Sequence, residues 1–137
     1  MWVLKTCMCF PCSFDSTSTL PLPPSSLQFR SPEEYAYEPQ TEKVDVYSLG
    51  NIYYSILTGV WPFNRDRPKE AQKKVKAGER PKIRDDIKNS NDPFDQALVQ
   101  AIYKCWVQDP KARASAREVQ KYISDELERL GVHAAKS

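Results

Sequence analysis

Cys7, Cys9 and Cys12 are the first residues whose types and spacing could do chemistry. They read C-x-C-x-x-C, a pattern of thiolate metal ligands. Structural zinc takes four ligands, and the sole histidine, His133, is remote in sequence, so the cluster makes a poor metal site. Cys9-Phe-Pro-Cys12 has the spacing of a redox pair, but no βαβ pattern surrounds it. S-acylation is a further use of cysteines near an N-terminus. The plain alternatives are ordinary reduced thiols, or an incorrectly assigned start of translation.

Asp45 is the second candidate. It opens the stretch DVYSLGNIYYSILTG, and on a helical wheel it falls among Leu49, Ile52 and Ile56. A carboxylate on an apolar face must be paired or neutralised, because burying it alone costs several kcal/mol. Two roles fit: it caps its own helix, whose N-terminus favours negative charge, or it holds the backbone N–H groups of a neighbouring loop.

The elements that must position these groups read as helices. Lys43–Thr58 is apolar on almost every side, with a narrow polar stripe of Ser48, Asn51 and Ser55, and Gly59 fits the position after its end. A short polar helix spans Arg67 to Ala77 and closes at Gly78, and 79–92 is a loop. Phe94–Val107 places Leu98, Ala101, Ile102, Cys105 and Trp106 at helical spacing before Asp109-Pro110. In Ser115–Leu130, Ser115 and Glu118 form a capping box, and Val119, Tyr122, Ile123, Leu127 and Leu130 face inward. No alternating strand is evident, so the expected fold class is all-α, with the 43–58 helix buried at its centre.

The 137 residues allow at most one ordinary domain. Twenty basic against 18 acidic residues exclude the strong basic excess of a nucleic-acid binder. The densest basic run, Arg65 to Lys88, has ten Lys/Arg against five Asp/Glu and reads as a solvated surface. The apolar run around Ile52 includes Asp45 and spans roughly 17 residues, short of the roughly 20 a membrane helix needs. Residues 1–27 are rich in Cys, Pro and Ser and show no period, which predicts a disordered tail. Their opening, MWVLKTCMCFPCSF, makes a weak signal peptide, because Lys5 interrupts the apolar run instead of preceding it. The default address is the cytoplasm.

Four stretches occur in a telling order: RSPEEY at 30–35, DVYSLG at 45–50, ILTGVWPF at 56–63 and CWVQDPKARAS at 105–115. Together they resemble the later part of a protein kinase catalytic domain, over 28–137. The Cys105-Trp106 pair before Asp109-Pro110 is most similar to tyrosine-kinase-like and receptor-type kinases. The resemblance implies a partial C-terminal lobe built around the 43–58 helix. It places Ser31-Pro32-Glu33 where kinases carry Ala-Pro-Glu at the end of the activation segment. It implies that Glu33 pairs with Arg113, that Asp45 binds the backbone of the catalytic loop, and that Trp106 anchors the third helix. Arg30, Ser31, Pro32 and Tyr35 become a wall beside a protein substrate, with Trp61, Pro62 and Phe63 packed beneath it. Ser31 for Ala, and Ala114 where Pro is usual, are mild departures.

The kinase family transfers phosphate from ATP and Mg²⁺ to a protein Ser/Thr or Tyr hydroxyl, using a Gly-rich loop, a strand Lys with its Glu partner, a catalytic Asp and Asn, and a metal-binding Asp before Phe-Gly. None of these has a place among these 137 residues. The expectation is therefore a truncated kinase domain with no catalytic, cofactor-binding or metal-binding residue of its own. The alternative is a non-catalytic helical interaction module, a pseudokinase remnant that engages a protein substrate or regulator through the basic Arg65–Lys88 segment. Without a helix and catalytic loop to cover one side, the 43–58 helix should expose apolar surface and drive association.

Overall fold

Ser31, Pro32 and Glu34 carry the start signals of a helix: a hydroxyl cap, proline in the first turn and an acid three residues on. In the computed structural model of the protein, which describes residues 28–132, they open α1 (Pro32–Ala36). Ser31 Oγ accepts from the Glu34 N–H at 3.4 Å, and Glu34 Oε2 accepts from the Ser31 N–H at 2.6 Å. The remaining helices are α2 (Lys43–Thr58), α3 (Pro68–Lys76), α4 (Asp85–Lys88), α5 (Pro93–Cys105) and α6 (Ala116–Arg129). No strand occurs among the described residues. The 1–27 segment with Cys7, Cys9 and Cys12, and His133, lie outside the described residues.

α2 packs along α5, α5 supports α6 and α4, and α1 rests on α3. The main core joins Tyr35, Tyr47, Tyr54, Phe63, Val75 and Trp106 with Val99 and Ile102 of α5. A smaller cluster of Val46, Cys105 and Val119 seals α6 to α2 and α5. Gly50 is where α2 and α5 approach: a Cβ there would lie 2.6 Å from Cys105 Cβ and 2.9 Å from Trp106 Cδ1. Only glycine permits that spacing. Among the described residues, no helix is long and apolar enough to cross a membrane.

The sequence expectation is corrected in two places. It began the helices at Lys43 and left 79–92 as loop, whereas α1 and α4 are present; at five and four residues they are too short to show a period. The stripe of Ser48, Asn51 and Ser55, taken as the polar face of α2, is not a solvated face: Asn51 points inward, and Ser48 and Ser55 are half-buried. Asn51 is fully buried: its Nδ2 donates to Phe29 O at 3.0 Å, and its Oδ1 accepts from Trp106 Nε1 at 2.9 Å. Ser48 Oγ donates to the same Phe29 carbonyl at 3.1 Å. One side of α2 is open, in line with the apolar surface expected there: Ile52 is 47% and Ile56 67% exposed.

Candidate functional site

Arg113 lies in the turn between α5 and α6, with its side chain wholly buried. Its guanidinium is bidentate to Glu33 of α1: Nη1 to Oε1 at 2.6 Å and Nη2 to Oε2 at 3.1 Å. The other donors reach the carbonyls of Val107 (2.9 Å), Lys43 (2.6 Å) and Gln108 (3.3 Å). Every guanidinium N–H thus has an acceptor, which is the condition for burying such a charge without a large penalty. Lys43 Nζ returns a bond to the Arg113 carbonyl at 2.6 Å, so the start of α2 is tied in twice. Burial pushes the Glu33 carboxyl up, but its hydrogen bonds with Arg113 and the guanidinium charge outweigh that, and the group sits below its ordinary value.

Tyr47 fills the space beside this clamp. Its ring centroid lies 5.1 Å from both the Arg113 and the Arg80 guanidinium carbons, within reach of a cation–π contact to each. Burial pushes its hydroxyl up to about 12. Arg80 Nε donates to the Trp106 carbonyl at 2.9 Å, and the Trp106 ring packs 5.6 Å from that of Tyr54. Sequence reasoning missed Arg80, Tyr47 and Asn51. Their partners lie far away along the chain, and no local period marks them.

The other expected site residues divide. Trp106 is 4% exposed and holds α5 to α2, while Asp45 is exposed at the first turn of α2. It neither caps the helix, whose N-cap is Glu42 without a side-chain bond, nor meets a loop among the described residues. Its apolar wheel face is itself open to solvent, so the burial that demanded a partner does not arise. Of the expected substrate wall, Ser31, Pro32 and Tyr35 are interior and only Arg30 faces out, because the α1 cap and core absorb them. Pro62 and Phe63 are buried, whereas Trp61 is 50% exposed.

The basic Arg65–Lys88 segment borders an open groove of about 900 Å³, with Tyr54, Thr58 and Phe63 in its wall. Three of the cations that line the groove are paired with acids that line it too: Lys74 with Asp66 at 2.8 Å, Lys82 with Asp85 at 3.5 Å, and Arg84 with Asp86. The groove is therefore of mixed charge and is not a basic patch.

The described residues do not fit ATP or Mg²⁺. No group of three or more His, Cys, Asp or Glu is placed to hold a metal among them. Gly59, Gly78 and Gly131 each follow the end of a helix, not the beginning where a phosphate would be cradled. No catalytic step is assigned to this chain through either group.

A model of the protein kinase domain matches residues 12–123, beginning inside the segment read as a tail. The chain belongs to the protein kinase domain family. It is 32% identical over 105 residues to the serine/threonine-protein kinase VIK of Arabidopsis thaliana, covering 77% of this chain and 23% of that kinase. It is 39% identical over 93 residues to the dual specificity protein kinase pyk3 of Dictyostelium discoideum, covering 67% and 6% respectively. It is 34% identical over 86 residues to human atrial natriuretic peptide receptor 2, covering 60% and 8%. The chain thus spans less than a quarter of the length of each of these relatives. The twitchin kinase region of C. elegans shares the fold, with a TM-score of 0.58 at 21% identity over 82% of this chain and 18% of that one. The all-helical arrangement around α2 is that of part of a kinase C-terminal lobe.

Proposed function

We propose that these residues form the part of a protein kinase domain behind the activation segment, and that they act as scaffold and not as phosphotransferase. The observation that carries this reading is the Glu33–Arg113 clamp. It fastens the Ser31-Pro32-Glu33 turn to the start of α2 and to the α5–α6 turn in one buried network. In a complete kinase, a rigid support of this kind holds the segment beside which a protein hydroxyl receives the γ-phosphoryl group, where positioning supplies much of the catalysis. The groups that handle ATP and metal have no counterpart in the sequence, and the described glycines and carboxylates are not arranged to replace them. The purified chain, incubated with ATP-Mg²⁺ and a Ser-, Thr- and Tyr-containing protein, is expected to transfer no phosphate above a heat-denatured control. Transfer that grows with chain concentration and survives repurification overturns the reading.

A second reading, a non-catalytic interaction module, is favoured by the groove beside α3. Val60 and Trp61 stand 38% and 50% exposed in the α2–α3 loop, and an indole in the open suits a protein contact. Retention of a defined protein partner by the chain, lost in Trp61→Ala, would support that module.

A further inference from the structure

We propose that the apolar N-terminal segment Trp2–Phe14 of this same chain docks along the open face of α2, with Lys5 placed against Asp45.

The face is a single stripe. Asp45, Leu49, Ile52 and Ile56 follow one another at i, i+4, i+7 and i+11, which aligns them over about 16 Å of helix. Ile52 and Ile56 are 47% and 67% exposed, and nothing among the described residues covers them. The stripe includes a depression of about 410 Å³ between α2 and α6, lined by Asp45, Val46, Ser48, Leu49, Ile52 and Ala116. A helix face of this kind, with a carboxylate at one end, fits an apolar strand of chain carrying a single cation.

Trp2–Phe14 has that composition. It contains Trp2, Val3, Leu4, Met8, Phe10 and Phe14, and Lys5 is its one charged side chain. The geometry of attachment agrees. The chain enters the described structure at Gln28, whose Nε2 donates to Phe63 O at 3.2 Å. The next residue, Phe29, is pinned by its carbonyl to Ser48 and Asn51. Ser48 is one turn before Ile52, so Phe29 lies against α2 beside the open stripe. The 14 steps from Phe14 to Gln28 span up to about 46 Å when extended, ample for a stripe of this length. Burial of the apolar side chains drives the contact. The exposed Lys5–Asp45 pair contributes little energy but sets the register.

This inference goes beyond the kinase reading, and its test does not depend on phosphotransfer. Ile56→Cys is introduced into the full chain, where its exposure makes it compatible with folding, and the protein is mildly oxidised at low concentration. The tethered segment supplies Cys7, Cys9 and Cys12, while Cys105 is fully buried. Docking is expected to form an intrachain disulfide from the new thiol to one of these three. The rate should be about tenfold above that of an exposed control, Lys73→Cys on α3, since docking raises the effective concentration over that of free tethering. Lys5→Glu should slow the reaction, and adding Asp45→Lys should restore it. Equal rates at the two positions overturn the proposal. So does a main product that joins two chains, which would assign the face to a second copy.

Discussion

Glu33 and Arg113, 80 positions apart, meet in a two-pronged ion pair at 2.6 and 3.1 Å that is almost wholly removed from solvent. Through Arg113 the contact extends to the carbonyls of Lys43 and Val107, so one guanidinium joins three separate stretches of chain. Breaking a buried pair by removing one partner typically costs about 3–5 kcal/mol, because the other charge is left unpaired. Glu33→Gln keeps the shape and removes the charge, and Arg113→Met removes the donors. Each is expected to lower the unfolding free energy of the full chain by about that amount in urea titrations. Replacing both residues should cost less than the sum of the single changes, because neither leaves the other stranded.

The same pair predicts a pH dependence. The native Glu33 carboxyl lies below its ordinary value of 4.5: burial raises it, but the bonds and charge of Arg113 prevail. The native state therefore binds fewer protons than the unfolded state through the acid range. The stabilisation is complete above the ordinary carboxylate value and is lost as pH falls through the depressed native one. The stability gap between the wild-type chain and Glu33→Gln should narrow between about pH 6 and about pH 3. A gap that stays constant over that range would show that Glu33 does not titrate as a member of the pair.

Only part of this was legible in the sequence. The Ser115–Glu118 capping box and the α5 and α6 stripes were readable because they are local, governed by residues three or four apart. The Glu33–Arg113 contact came from the resemblance alone, since nothing in the spacing of two residues 80 apart implies a bond. Asn51 was misread for a related reason. A helical wheel sorts residues by polarity, and a buried amide whose partners are Phe29 and Trp106 looks the same as a solvated one. The Ser31-Pro32-Glu33-Glu34 start of α1 was in view, but a five-residue helix supplies no period to confirm its cap.

Tyr47 offers a test in the opposite direction. Its hydroxyl is buried and has no hydrogen-bond partner among the described residues, while two guanidinium groups lie near its ring. Tyr47→Phe keeps the ring and removes an unsatisfied polar group, whose burial costs about 1–3 kcal/mol. The variant is expected to be as stable as the wild type, or more so, at neutral pH. Burial also raises the native hydroxyl from 10.0 to about 12. The unfolded chain therefore releases this proton first, and stability relative to Tyr47→Phe falls as pH rises from the unfolded value through the native one. Thermal melts at increasing alkalinity should show the wild type losing stability faster than Tyr47→Phe.

Gly50→Ala isolates the approach of α2 to α5. Alanine is the better helix former by about 1 kcal/mol, so an open site would gain stability. Here the added methyl meets Cys105 Cβ at 2.6 Å and Trp106 Cδ1 at 2.9 Å, and neither is the end of a flexible side chain. Overpacking of this kind costs about 1–3 kcal/mol. The net change is expected to be destabilising, with a lowered melting temperature. A shift in tryptophan emission should accompany it, as Trp106 is pushed from its bond to Asn51. An unchanged or raised melting temperature would mean that the two helices separate freely.

The exposed side of α2 makes the last prediction. Ile52 and Ile56 stand in solvent on one helical face, with Val60 and Trp61 following in the next loop. A contiguous apolar surface of several hundred Å² drives association. Residues 28–137 expressed alone are therefore expected to self-associate or to melt broadly, as measured by light scattering and calorimetry. Ile52→Glu with Ile56→Lys adds opposite charges one turn apart on that face, at positions where surface changes usually alter stability by no more than about 0.5 kcal/mol. The pair should return the fragment to a monomer and leave the Glu33–Arg113 network intact. Association that persists in the doubly charged variant would place the sticky surface elsewhere, with the groove beside α3 and the indole of Trp61 the next region to change.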